Sequence, residues 1–312
     1  MIPIQYSMQR AMLSLSPFLH PNSISSPSQI PHFNPTFLTS KPFTKPLRSS
    51  SQNSPTQEQE DDFRVLTATK TEYNNIVILE SSTSKILLLD DSCNVHSILY
   101  KSEKWTNSYW DEFTTLPAII PDGPIAVYGL AGGTVAHQLL HFWPGLTIHG
   151  WELDEILVDR ARQFFRLSEL EQTNSSGGIL KIHVGDALSR MASVEGGYAG
   201  IVVDLFSDAK VLQELEKAET WLEMKEKVML NGRIMVNCGG EIMSDESGWE
   251  TNSTIRAMCE AFGKELVNWK KMPLDQSGNY LAFTGSLPDF DLWCNAVPER
   301  LGSTVALWRA CG

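Results

Sequence analysis

Apolar positions change their spacing along this chain. Between residues 70 and 100 they come in short β-favouring runs, IVIL at 76–79, KILLLD at 85–90 and VHSILY at 95–100, separated by polar SSTS and DDSCN. That pattern predicts a small antiparallel sheet. Past Pro117, Pro121 and Pro124 the pattern becomes strand, glycine turn, amphipathic helix and strand, in the stretch IAVYGLAGGTVAHQLLHFWPGLTIHGWELD at 125–154. After Glu152, apolar Leu157, Ala161, Phe164 and Phe165 fall at i, i+4, i+7 and i+8, a helix stripe that packs on a sheet. LKIHVGDA, GIVVDLF and GRIMVNCGG then read as strands three to five, apolar throughout as parallel strands are when helices cover both faces. A helix at about 252–263 and two further strands at 266–270 and 280–284 complete the pattern. The expected fold class is α/β, a Rossmann-like doubly wound sheet with a terminal hairpin, preceded by the small antiparallel β layer.

Composition sets the first 57 residues apart. They hold no Asp or Glu, twelve Ser, nine of the sixteen Pro, and only Arg10, Lys41, Lys45 and Arg48 as charges. A serine-rich, acid-free, weakly basic leader is expected to be a disordered, cleaved transit peptide directing the protein to the chloroplast. The domain reading is therefore 1–57 transit peptide, 62–115 small antiparallel β domain, 116–290 nucleotide-binding domain and 291–312 a carboxy-terminal helical extension.

Charge and cysteine content remove several function classes. The whole chain carries 25 Lys and Arg against 37 Asp and Glu; without the four basic leader residues the balance is 21 against 37, a net charge of −16. Nucleic acid is not an expected partner, because binding phosphate needs a basic face. No apolar run approaches the 18 or more residues of a membrane helix, so no membrane partner is expected either. Cys93, Cys238, Cys259, Cys294 and Cys311 form no CxxC pair and are odd in number, which argues against a disulfide framework and a cysteine metal site. His137 and His141 are four apart on the first helix, but Gln138 is not the Glu of a metalloprotease motif, and no metal is expected. There is no GxxxxGK[ST] loop and no GxSxG elbow, and GLAGGT is not the GxGxxG of a dinucleotide dehydrogenase.

What remains is a nucleoside site. Gly129, Gly132 and Gly133 permit a tight turn with close backbone approach to a ligand, and Glu152, roughly 20 residues on, is placed to accept hydrogen bonds from a ribose diol. Ligands of open α/β sheets bind outside the carboxyl ends of the strands. Glu152, Asp186 and Asp204 follow strands two, three and four, so three carboxylates are expected along one rim.

The order of motifs resembles a known family. EYNNIVILESSTSKILLLDDSCN followed by YWDEFTTLP resembles the amino-terminal sheet and gate of spermidine synthases, and HVGDALSRM and VVDLFSD resemble their third and fourth strand ends. The likeness covers roughly residues 70–285 and implies a divergent member of the class I methyltransferase-type superfamily. It implies that Glu152 binds the ribose of a sulfonium nucleotide, that Asp186 binds the adenine amino group, and that Asp204 is the base deprotonating an attacking amine. It adds Tyr73, Asn94, Tyr109, Asp111 and Asp208 as candidate substrate contacts.

The departures from that family bear on the donor. Ala131 stands where its glycine turn carries an aspartate that helps hold the ammonium of decarboxylated S-adenosylmethionine, and leaving that ammonium unpaired costs on the order of 3 kcal/mol. Asp208, Asp111 or Glu112 are candidate replacements. Trp110 replaces a Gln or His in the gate, and Asp204 and Asp208 are four apart rather than three. The main expectation is methyl transfer from S-adenosylmethionine, whose own carboxylate would be repelled by an acid at 131, to an amine or similar small-molecule nucleophile. The alternatives are aminopropyl transfer from decarboxylated S-adenosylmethionine and a non-catalytic nucleotide-binding or assembly protein. A homodimer is compatible with each.

Overall fold

The computed structural model describes residues 62–208, 210–240 and 248–312. The leader at 1–57 lies outside the described residues. Four antiparallel strands open the chain in the order β1 (Arg64–Lys70), β2 (Asn75–Glu80), β3 (Ser84–Leu88) and β4 (Ser97–Tyr100). β1 is an addition to the sequence reading. Its RVLTATK alternates with threonine and stays partly exposed at the sheet edge, so it forms no apolar run.

The continuous apolar run of β2 has a direct cause, because both faces of this sheet are covered. Val77, Leu79, Ile86 and Leu88 pack on one side with Phe63 and Val65. Ile76, Ile78 and Leu87 pack on the other against Leu157, Phe165 and Ala131 of the larger layer. Burying four fully covered aliphatic side chains there contributes several kcal/mol at ~2 kcal/mol each.

The short helix α1 (Trp110–Phe113) leads into the larger layer. This continues through β5 (Ile125–Tyr128), α2 (Thr134–Phe142), β6 (Thr147–Glu152), α3 (Glu155–Phe164), α4 (Leu167–Leu170), β7 (Ile179–Val184) and β8 (Tyr198–Val203). A two-residue hairpin, β9 (Phe206–Ser207) and β10 (Lys210–Val211), precedes α5 (Ala218–Lys225), β11 (Val228–Asn237), α6 (Ser253–Phe262), β12 (Val267–Lys271) and β13 (Tyr280–Thr284). The chain closes with α7 (Phe290–Ala296), α8 (Gly302–Val305) and β14 (Arg309–Ala310). The eight strands run β14-β12-β13-β11-β8-β5-β6-β7. β11, β8, β5, β6 and β7 are parallel, while β13 is antiparallel to both β11 and β12. This is the mixed α/β architecture with a terminal hairpin that the sequence predicts, beside a small antiparallel sheet.

Two expectations are corrected. β7 is not covered on both faces: it is the sheet edge, Val184 is exposed, and the 185–197 segment joins it to β8 without a helix. Lys181 and His183 within LKIHV already break the apolar run that a doubly covered strand needs. The carboxy-terminal segment is also more than helical, since β14 adds to β12 at Asn268↔Ala310. Trp293 and Trp308 there are fully buried against Phe283, with ring centroids 5.6 and 4.8 Å away.

Candidate active site at the carboxyl rim

Register fixes where the rim residues stand. β5 pairs in parallel with β6 at Tyr128↔Trp151 and with β8 at Tyr128↔Val203, and β6 pairs with β7 at Glu152↔Val184. Gly129, Glu152 and Asp204 therefore emerge side by side, with Asp186 two residues beyond the end of β7. From β8 to β7 the rim spans three interstrand steps, roughly 14 Å. The chain departs from β5 in one direction to β6 and β7 and in the other to β8 and β11, so the strand order reverses at the β5–β8 crevice.

Gly129 is required in that crevice. Its φ is +85°, and a Cβ there would lie 2.3 Å from the Asp204 carbonyl oxygen. Gly132 is constrained by space alone, since a Cβ would lie 2.7 Å from the Ser97 Cβ. The amides of the turn, however, already have protein partners. Those of Gly129 and Leu130 donate to the Trp151 carbonyl, Ala131 to Glu152 Oε2 at 2.9 Å, Gly132 to Ser97 Oγ at 2.9 Å and Gly133 to the Leu130 carbonyl. The turn thus offers a ligand a close-fitting wall rather than the open N–H cradle of a phosphate-binding loop.

Glu152 is held by three amides: Ala131 on Oε2, and Leu153 (2.9 Å) and Asp154 (3.2 Å) on Oε1. A carboxylate has about four acceptor sites, so Oε2 retains one for a ligand hydroxyl. Burial raises the Glu152 pKa, and the three amides oppose that rise only in part. The folded state therefore holds this proton more tightly than the unfolded chain. Stability due to Glu152 falls as pH climbs from the ordinary 4.5 through the raised value. Wild type compared with Glu152→Gln by urea unfolding between pH 4 and 8 is expected to lose relative stability across that window, and parallel curves would contradict it.

Asp204 is ringed by side-chain donors. Oδ1 accepts from Asn237 Nδ2 at 2.9 Å, Oδ2 from the Trp110 indole Nε1 at 3.1 Å, and the Tyr109 hydroxyl bridges both oxygens at 3.3 and 3.1 Å. Burial raises its pKa while these donors oppose the rise. A carboxylate shifted upward by burial is a stronger base than one in water. Burial likewise pushes the Tyr109 phenol well above its usual range, so the hydroxyl remains a donor.

The remaining sequence candidates disperse. Asp186 is exposed and accepts from the Leu188 amide at 2.8 Å. Its loop is clamped by Lys227, whose ammonium donates to the carbonyls of Ala187, Leu188 and Ser189, the last at 2.6 Å. Tyr73 is exposed on a turn anchored by Thr71 and Asn74 to Asp154, the residue that caps α3. Asn94 is exposed in the loop between β3 and β4. Asp208 lies exposed in the β9–β10 hairpin with φ +50°. Asp111 turns away from Asp204 and is spent on Thr106, the Asn107 amide and Gln138. Glu112 is buried against Lys270 at 2.7 Å. His137 bonds the Phe165 carbonyl at 2.7 Å, and among the described residues no group of three His, Cys, Asp or Glu is placed to hold a metal ion.

Sequence reasoning missed Asn237, Lys227 and the donor role of Trp110. Asn237 ends an apolar strand, where a lone buried amide is the available signal; the other two become visible only in three dimensions.

A parallel sheet with an antiparallel terminal hairpin, a glycine turn at the switch point and acids at the strand ends define a class I methyltransferase-like α/β protein. No family model matches the chain. Among characterised sequences it is similar to a probable polyamine aminopropyl transferase of Bifidobacterium longum, 23% identical over 192 residues covering 61% of this chain and 41% of that protein. It is also similar to spermidine synthase 2 of Hyoscyamus niger, 28% identical over 226 residues covering 69% and 68%. The chain thus spans about two fifths of the length of the bacterial relative. Among solved structures, spermidine synthase from Thermotoga maritima superposes with a TM-score of 0.56 at 14% identity, covering 77% of this chain and 78% of that one. A spermidine synthase in complex with the transition state analogue AdoDATO gives 0.57 at 15% identity, covering 77% and 79%. The chain is thus similar in sequence to spermidine synthases and a probable polyamine aminopropyl transferase, and it shares the class I methyltransferase-like fold of the solved spermidine synthases.

Proposed function

We propose that this protein transfers an aminopropyl group from decarboxylated S-adenosylmethionine to a small amine. The observation that carries the reading is Asp204, a partly buried, donor-encircled carboxyl at the β5–β8 crevice. The relatives favour aminopropyl transfer over the methyl transfer preferred from the sequence, because those named for an activity are a polyamine aminopropyl transferase and spermidine synthases.

The sulfonium donor supplies an electrophilic methylene carbon. Asp204 takes the proton of the attacking amine, so that the nitrogen lone pair can form the new C–N bond as the C–S bond breaks and methylthioadenosine departs. Glu152 holds a ribose hydroxyl through the free acceptor site on Oε2, and the Gly129 turn walls the nucleoside. Asp186, at the outer end of the rim, is assigned to the adenine amino group.

One observation favours methyl transfer as the second reading. Of the three acids considered as replacements for the carboxylate missing at 131, Asp111 and Glu112 are engaged elsewhere and Asp208 lies in an exposed hairpin. Incubating the protein with either donor and short diamines, followed by mass spectrometry, separates the readings: methylthioadenosine marks aminopropyl transfer and S-adenosylhomocysteine marks methyl transfer. Neither product with any amine would defeat both.

Position 131 supplies an independent check. Ala131 has φ +46°, a conformation Asp tolerates better than most residues. Ala131→Asp is expected to raise the affinity ratio of decarboxylated over ordinary S-adenosylmethionine by about tenfold or more, measured by calorimetry. An unchanged ratio would remove the account of this position.

The chloroplast location remains the reading of the leader's composition, and import of a fluorescent fusion into isolated chloroplasts tests it.

A further inference from the structure

Along the rim beyond β8, a chain of amides reaches Asp204 from the ends of β11 and β13. Asn237, the last residue of β11, is 1% exposed. Its Oδ1 accepts from the Gly239 amide at 3.1 Å and from Asn279 Nδ2 at 2.8 Å, while its Nδ2 donates to Asp204 Oδ1 at 2.9 Å. The direction of this chain is fixed by chemistry. A backbone N–H only donates, so the Asn237 atom facing Gly239 is its oxygen, and the atom facing Asp204 is consequently the NH2. Asn279 sits just before β13, after the 273–278 turn, so the orientation is set from outside the crevice.

We propose that Asn237, locked by Asn279 and Gly239, is a positioning residue that fixes the orientation of the Asp204 carboxylate. The inference deepens the transfer reading, and rests on it only for the consequence for catalysis. With Asn237 bonded to Oδ1 and Trp110 to Oδ2, each from a rigid element, the Tyr109 hydroxyl is the remaining donor and shares itself between both oxygens.

The test uses a reporter already in the structure. The Trp110 indole N–H is bonded to Asp204, so its 15N–1H resonance follows protonation of that carboxyl without any need for turnover. The ionisable groups that act most on Asp204 are Tyr109, bonded to it directly, and His96, whose Nε2 is paired with Asp90 at 3.1 Å. His96→Gln in each background serves as the control for the imidazole. In the labelled full-length protein, with the resonance assigned by Trp110→Phe, Asn237→Leu is expected to raise the midpoint sensed at Trp110 by about one pH unit, because a donor to the charged form is lost.

Asn279→Leu, which leaves Asn237 in place but releases its amide, is expected to move the midpoint in the same direction by less. That second variant decides the matter if Asn237→Leu does not fold. Where an amine substrate is turned over, the acid limb of the kcat/KM profile is expected to move with the resonance. Midpoints unchanged in the variants would overturn the proposal. A moved midpoint in a protein that alkylates no amine would uphold the positioning of Asp204 and remove the transfer reading instead.

Discussion

Asp204→Asn is expected to lose at least about a hundredfold in turnover, the lower end of what a positioned general base contributes, while nucleotide affinity changes by no more than about threefold. The separation follows from geometry. Asp204 closes the β8 side of the crevice, whereas the residues assigned to the nucleoside, Gly129, Glu152 and Asp186, follow β5, β6 and β7. The substitution also has a structural cost that should be measured alongside. Trp110 Nε1 and Asn237 Nδ2 only donate, and they address opposite oxygens of the carboxylate. An asparagine in place of Asp204 therefore turns its NH2 toward one of them, leaving a buried donor unpaired at a cost of about 1–3 kcal/mol. Calorimetry with the nucleotide, single-turnover product analysis and a thermal melt on the same sample distinguish the cases. Equal loss of binding and turnover would make Asp204 a structural residue.

The other large effect is expected away from the rim. Lys270 on β12 and Glu112 on α1 form an ion pair at 2.7 Å with side chains only 2% and 3% exposed. Lys270 also donates to the Thr304 carbonyl and lies 5.9 Å from the Trp308 ring. Breaking a pair of this kind strands one buried charge, so Glu112→Leu and Lys270→Leu are each expected to cost roughly 3–5 kcal/mol, or a Tm lower by about 10 °C. The double variant, which leaves neither charge, is expected to recover most of that loss. Burial lowers the Lys270 pKa despite Glu112, so the penalty of keeping the ammonium charged is present at neutral pH and fades as pH rises toward 10.5. A double variant as unstable as the sum of the singles would show that the two residues act independently.

The fold was largely readable from spacing, for identifiable reasons. Strands buried on both faces, such as YAGIVV of β8, produce unbroken apolar runs, and α3 carries a clear stripe in Leu157 and Ala161. β1 was not readable because edge strands need no apolar run, and the missing cover on β7 was signalled only by Lys181 and His183. In the site, the rim acids were legible because strand ends are legible. Asp111 was misleading, since an acid in a motif-like segment reads the same whether it faces a substrate or the loop that it organises. Asn237 was hidden, because the identity of a strand's last residue does not reveal what lies across the neighbouring strand.

The small sheet and the Gly129–Gly133 turn share their polar contacts. Ser97 takes the Gly132 amide, Thr134 exchanges hydrogen bonds with both backbone groups of Ile98, and Asp154 reaches Thr71 and Asn74. The first four strands are accordingly a keystone rather than a detachable cap. A shortened version of the protein has to begin ahead of Arg64, and one starting at the β5 boundary would lose the shape of its own glycine turn along with the missing strands.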